Sequence, residues 1–278
     1  MDATWRDEPQ RYDAMIGPFG RQAHAAAGIA AGARVLDVGA GASETPIELA
    51  RRVGPGGRVV VLELSDELVT VGRARALAAG SSDAEWPDIE WIVADVGAPF
   101  ADLGLPPAGF DAVVSRFALM LVDDPHAAFS NLHRALRPGG RMAFTCWQSA
   151  DRNAWFTLPM SAVETVLPGA AAGAGASHSD GRPGPFSYAD PELLHKRLDA
   201  AGFVDVRIEP LVHPVRVATD VDDALAFFER RFGDVAELLD APTLARVRQV
   251  ARELLAPYAQ PDGVRLSAAA WLVTCARP

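Results

Sequence analysis

The stretch Val35-Leu36-Asp37-Val38-Gly39-Ala40-Gly41-Ala42-Ser43-Glu44 decides the fold. It begins as an apolar run holding one carboxylate and breaks at two glycines, the pattern by which a buried strand turns tightly into a helix. The residues that follow read as that helix, with Thr45 as N-cap, Pro46 at its first position and Gly54 at its stop. Working outward, four further apolar runs appear: RVVVLEL (58–64), IEWIVAD (89–95), FDAVVSRF (110–117) and RMAFTCW (141–147). Near-continuous apolar runs suit strands buried on both faces of a parallel sheet, and the segments between them are long enough for crossover helices. Asp124-Pro125 repeats the capping device, and Phe129, Leu132 and Leu136 share one helix face before Pro138-Gly139-Gly140. The alternation predicts a doubly wound, Rossmann-like α/β sheet.

Composition narrows the function. The chain has 278 residues, about half of them hydrophobic, which permits a sizeable core. Its 26 basic and 36 acidic residues give a net charge of −10, the wrong sign for a phosphate-backbone partner. Lys196 is the only lysine, a bias we assign to the source genome. Two cysteines, Cys146 and Cys275, have neither metal-ligand spacing nor the density of a disulfide framework. Charges fill the N-terminus where a signal peptide needs an apolar run, and no apolar stretch reaches spanning length. The expectation is a cytoplasmic protein with no nucleic-acid or membrane partner, acting on a small molecule as a monomer or homodimer.

Past Trp147 the rhythm changes. Residues 148–188 carry a Trp/Pro stretch and the small-residue run AAAGAGAS (170–177). A helix over about 190–201, a strand over 204–215, helices within 220–256 and a closing strand AAWLVTCAR follow.

The glycine loop also selects its ligand. A dinucleotide fingerprint would place a third glycine at position 44, against the pyrophosphate, but Glu44 stands there. Carboxylates at Glu44 and Asp37 repel a pyrophosphate and suit a cation such as S-adenosyl-L-methionine, with its ammonium and sulfonium groups. Glu63 closes the second strand, where it can accept ribose hydroxyls, and Asp95 closes the third, where it can accept from an adenine amino group.

The series DVGAGAS, VLELS, VADV, FDAVVSRFALMLVDDP and LHRALRPGGRM resembles the class I S-adenosylmethionine-dependent methyltransferases, in particular the ubiquinone and menaquinone biosynthesis branch. The resemblance implies a seven-stranded, mostly parallel sheet with an antiparallel seventh strand. One domain would span 1–278, with a cofactor core at 30–147, substrate caps at 148–188 and 219–262, and segments 190–215 and 271–277 completing the sheet. It implies that Asp37, Gly39, Ala40 and Gly41 surround the methionine part of the cofactor. Glu63 and Leu64 would hold ribose and adenine, Asp95 and Val96 the adenine edge, and Ser115 the methionyl group through its backbone. Ser43 replaces a third glycine of many relatives and can cap the next helix instead.

The transfer side is less legible, because displacement at a methyl group needs alignment and desolvation more than a dedicated base. Arg116 is read either as a contact to an anionic group or as a salt bridge to Asp123 or Asp124. Phe117, Met120, Trp147 and Trp155 are expected to line a substrate pocket, the last two within W-x5-N-x-W-x3-P. Candidate bases are His178, Tyr12 and Tyr188. His126 and His133 are expected on the surface, and His195 and His213 in structural roles. No metal site is expected. The implied activity is direct methyl transfer to a specialised or quinone/isoprenoid-like metabolite, releasing S-adenosyl-L-homocysteine. The alternative is cyclisation or decarboxylation on the same fold.

Overall fold

All five apolar runs form strands: β1 (Arg34–Val38), β2 (Arg58–Glu63), β3 (Asp88–Val93), β4 (Phe110–Arg116) and β5 (Leu136–Trp147). They pair in parallel. In the computed structural model, which describes residues 4–80, 86–170, 183–237 and 239–278, three strands complete the sheet. These are β6 (Val204–Ala218), β7 (Ala259–Gln260) and β8 (Gly263–Ala276), and the order is β3-β2-β1-β4-β5-β8-β6. The closing strand β8 is antiparallel to both β5 and β6, as the resemblance implied, while the two-residue β7 adds a short eighth strand paired to β8. The fifteen-residue β6 stands at one end of the sheet and carries Pro210 and Pro214.

The helices are α1 (Thr4–Asp7), α2 (Pro9–Ala26), α3 (Thr45–Val53), α4 (Asp66–Ala78), α5 (Pro125–Ala135), α6 (Ala154–Val166), α7 (Pro191–Ala200), α8 (Val221–Arg231), α9 (Gly233–Ala236) and α10 (Ala241–Leu255). Alternation along each strand sends side chains to two cores. Val35, Val59, Val61 and Val114 pack with Ala23, Leu49 and Val53 of α2 and α3, whereas Leu36, Val60, Val113 and Phe144 pack with Phe129 and Leu132 of α5. No helix among the described residues is long and apolar enough to cross a membrane.

Several local expectations are corrected. The N-cap of α3 is Glu44, not Thr45, and its side chain makes no cap bond. Ser43 instead accepts from the Thr45 backbone N–H at 3.2 Å and pairs with the Thr45 hydroxyl at 2.9 Å. Pro138-Gly139-Gly140 does not end α5, which stops at Ala135. Leu136 already pairs with Phe110, and the triplet fills the irregularity before the register resumes at Ala112 and Arg141. His133 is half-buried, its ring edge-on to Phe203 with centroids 5.1 Å apart, and burial lowers its pKa. His126 is exposed. Cys146 and Cys275 lie on the neighbouring strands β5 and β8, opposite Trp271 and Met142, and burial pushes both thiols up.

Candidate active site

Parallel strands deliver their carboxyl ends to one edge, and the first cleft opens there. Enclosing about 160 Å³, it is lined by Gly39, Ala40 and Gly41 after β1, Glu63 and Leu64 at the end of β2, Asp95 and Val96 after β3, and Arg116 and Phe117 at the end of β4. Residues as far apart in sequence as Gly39 and Phe117 thus meet because each follows a strand of the same sheet. Gly39 (φ +68°) has no room for a side chain, since a Cβ there would lie 2.1 Å from the Ala118 Cβ. Gly41 (φ +59°) donates its N–H to Glu63 Oε2 at 2.9 Å, and the other Glu63 oxygen accepts from Ser65 N–H at 3.0 Å. The carboxylate of β2 therefore braces the glycine turn of β1. Leu64 is 64% exposed beside this carboxylate, an uncovered apolar wall for a flat ring. Asp95 is exposed and accepts from Gly97 N–H at 2.7 Å.

Asp37 and Ser115 lie beneath the cleft rather than on its lining. Asp37 is 1% exposed and neither carboxylate oxygen has a hydrogen-bond partner; the Ser115 hydroxyl is also unpartnered. Burial, opposed by the nearby Arg116 and reinforced by Glu63 and Glu48, pushes the Asp37 pKa up to about 8. An orphaned carboxyl under a glycine turn, with a second carboxylate at the mouth, is a donor set suited to a cationic ligand, and the residues fit S-adenosylmethionine. Glu44, by contrast, does not contribute to that selection. It lines a separate surface depression with Arg21 and Arg75.

Arg116 bridges neither Asp123 nor Asp124. Its guanidinium donates to Asp13 Oδ1 at 3.0 Å, both side chains being 6% exposed. Asp13 also accepts from Arg75 at 2.7 Å and from the Glu44 N–H, and Arg75 bonds the Ala42 carbonyl. One carboxylate of α2 thereby joins α4, the end of β4 and the loop after Gly41. Helix α2 approaches this closely because Gly17 and Gly20 face the arginine; a Cβ at Gly20 would meet Arg116 Cδ at 2.9 Å. His24, buried on the same helix, has its pKa lowered to about 3 by desolvation, with Arg116, Arg52 and Arg21 adding repulsion.

A second cleft of about 80 Å³ adjoins the first through Trp5, Phe117 and Leu121. The structure brings Phe117, Met120, Trp147 and Trp155 together there, along with Tyr12. Phe117 stacks on Trp147 with centroids 3.9 Å apart, and Trp155 lies 5.1 Å from Trp147. The backbone of Phe117 is left-handed (φ 56°), an uncommon state for a bulky residue, which aims its ring at the junction of the clefts. Tyr12 stacks on Trp5 at 3.7 Å, and its hydroxyl lies 2.7 Å from the Thr4 hydroxyl. The Asn153 of the Trp/Pro motif is fully buried; it accepts from Trp155 Nε1 at 3.0 Å and Ala269 N–H at 2.9 Å, so it fixes the indole to β8.

Of the candidate bases, Tyr188 is misplaced. It is 1% exposed, packs near Phe129 and Arg197, and burial raises its pKa to about 12. It lines neither cleft. His178 lies outside the described residues. Sequence reasoning missed Asp13 and the α8 residues Phe227, Phe228 and Arg231 of the second cleft. An acidic residue inside an otherwise apolar helix face was the available signal for Asp13. Among the described residues no group of three or more metal-ligating side chains occurs.

Comparison with known proteins agrees with this geometry. Residues 36–144 match the family described as "Methyltransferase domain". The ubiquinone/menaquinone biosynthesis C-methyltransferase UbiE of Hahella chejuensis is 36% identical over 115 residues, covering 41% of this chain and 43% of that protein. This chain thus matches less than half the length of that relative. Among solved structures, Haemonchus contortus phosphoethanolamine N-methyltransferase 2 in complex with S-adenosyl-L-methionine aligns with a TM-score of 0.52 at 18% identity, covering 93% of this chain and 52% of that one. The [4+2]-cyclase SpnF aligns with a TM-score of 0.51 at 18% identity, over 94% of this chain and 80% of that one. Over residues 36–144 the chain therefore matches a methyltransferase domain, and over 115 residues it is similar to the ubiquinone/menaquinone biosynthesis C-methyltransferases.

Proposed function

We propose that the protein transfers a methyl group from S-adenosylmethionine to a small apolar organic molecule seated in the aromatic cleft. The observation that carries this reading is the shared wall of the two clefts, Trp5, Phe117 and Leu121, which sets an aromatic pocket beside the carboxylate-bearing one. When bound, the cofactor supplies an electrophilic methyl group on a sulfonium. Gly39, Ala40 and Gly41 would face its methionine part, with Ser115 supporting that floor from beneath the cleft. Asp37 would contribute negative potential from below once ionised, and Glu63 would accept from the ribose while remaining anchored by the Gly41 and Ser65 N–H groups. Leu64 and Val96 would flank the adenine, with Asp95 at its edge. Phe117, Met120, Trp147 and Trp155 would exclude water and orient the acceptor. Tyr12 is the hydroxyl-bearing side chain in this lining, held by Thr4, and is positioned to hold a proton at its phenolic oxygen. Segments 148–188 and 219–262 act as the substrate cap of a single domain.

Equilibrium titration with S-adenosylmethionine tests the first step. Binding to the native chain and at least tenfold weaker binding after Asp37→Ala or Glu63→Ala is the expected result. Unchanged affinity in both variants would refute the assignment. Mass spectrometry of the products then tests transfer: an acceptor gaining one CH2 together with S-adenosylhomocysteine supports it, and a converted substrate without S-adenosylhomocysteine overturns it in favour of a non-methylating reaction.

A further inference from the structure

The aromatic cleft ends on Phe228, and the same ring forms the wall of a further apolar void. That void, about 60 Å³, lies between α6, α8 and α10 and is lined by Leu158, Val163, Leu244, Val247 and Ala251 among others. Its lining includes the Arg248–Glu229 pair, which makes two contacts of 2.5 and 2.7 Å. Phe228 is 6% exposed and lines both spaces, with Phe227 beside it at 5.5 Å and Phe232 behind it at 6.4 Å. An apolar void left unfilled in a cap gives up contacts that close packing would supply. Cleft and void are thus two apolar spaces that share one lining side chain, Phe228.

We infer that Phe228 sets the length of acceptor the protein takes, stopping an apolar substituent at the end of the aromatic cleft. This rests on the aromatic cleft being the acceptor seat. The acceptor class is a ring-bearing apolar molecule with a short substituent; a chain of more than a few carbons would require the space that Phe228 occupies. Shortening this residue joins the two spaces and admits the longer chain.

The experiment uses the full chain saturated with S-adenosylhomocysteine and measures binding of 4-methylphenol, 4-butylphenol and 4-octylphenol by quenching of tryptophan fluorescence. In the native protein affinity rises from the methyl to the butyl compound and gains nothing from butyl to octyl. In Phe228→Ala the octyl compound binds at least tenfold more tightly than to the native protein, below the roughly 200-fold that four buried methylenes provide at most. The methyl compound stays within about threefold. Phe228→Leu, which preserves packing, gives an intermediate gain and decides the matter if the alanine variant loses S-adenosylhomocysteine affinity. Parallel length profiles in native and variant proteins, a native protein that already gains from butyl to octyl, or no binding of 4-butylphenol to the native protein overturns the inference. Failure of the native chain to bind S-adenosylhomocysteine would instead refute the cofactor reading, so the two failures are separable.

Discussion

Asp37→Asn is the most informative single change, because the native carboxyl is buried, unpartnered and held near pKa 8 against an ordinary value of 3.8. Since the folded-state value is the higher one, the folded protein keeps a proton that the unfolded chain has released between about pH 4 and pH 8. Stability therefore falls as pH rises through that window. From pH 6 to pH 8 the part of the loss due to Asp37 is about 2 kcal/mol, because the limiting slope of about 1.36 kcal/mol per pH unit fades as the folded carboxyl itself ionises. Asparagine copies the shape of the neutral carboxyl and does not titrate. Urea unfolding followed by tryptophan fluorescence at pH 6, 7, 8 and 9 should show the variant gaining on the native protein by roughly 2 kcal/mol up to pH 8, then levelling off. The same variant should bind S-adenosylmethionine more weakly at pH 9, where the native carboxyl is ionised. Parallel stability curves for the two proteins would show that Asp37 is ionised and satisfied in the native fold, and the reasoning would fail.

Two further changes probe the scaffold. Gly39→Ala places a methyl group 2.1 Å from the Ala118 Cβ at a φ of +68°, and the expected cost is about 2–5 kcal/mol in urea unfolding, from clash and left-handed strain together. Adding Ala118→Gly should restore the clash component but not the strain, and a double variant no better than the single would contradict the geometry. Asp13→Ala strips Arg116 and Arg75 of their common anion and should cost about 3–5 kcal/mol; a loss below 1 kcal/mol would show that the cluster is solvated.

The sheet was legible because its signal is local. Four of the five runs carry the burial pattern of a covered strand, while β3 stands at the edge of the sheet without a fully buried residue, and Gly39, Glu63, Asp95 and Arg116 converge simply because every strand delivers its end to the same edge. Directions of side chains were less accessible. Glu44 follows the glycine turn by only three residues, yet α3 begins there and turns its carboxylate away from the cleft toward Arg21 and Arg75. The partner of Arg116 lies 103 positions upstream, on a helix whose place over β4 depends on two glycines meeting one arginine. No periodicity encodes such a pair. Tyr188 precedes its helix much as a cleft residue would, and only packing against Phe129 shows that it belongs to the core.

The strand β6 carries a consequence for how copies of this protein meet. As the last strand on its side, it would offer fifteen residues of backbone to any chain able to pair with it, and an extended edge of that kind is a template for uncontrolled association. Pro210 and Pro214 have no N–H to offer, and a proline is tolerated in a strand where its nitrogen faces outward. Two prolines four residues apart therefore interrupt the edge where Val212, 49% exposed, would otherwise be its stickiest point. The molecule keeps a long strand that braces β8 along its inner side while denying a continuous ladder to strangers on the outer one.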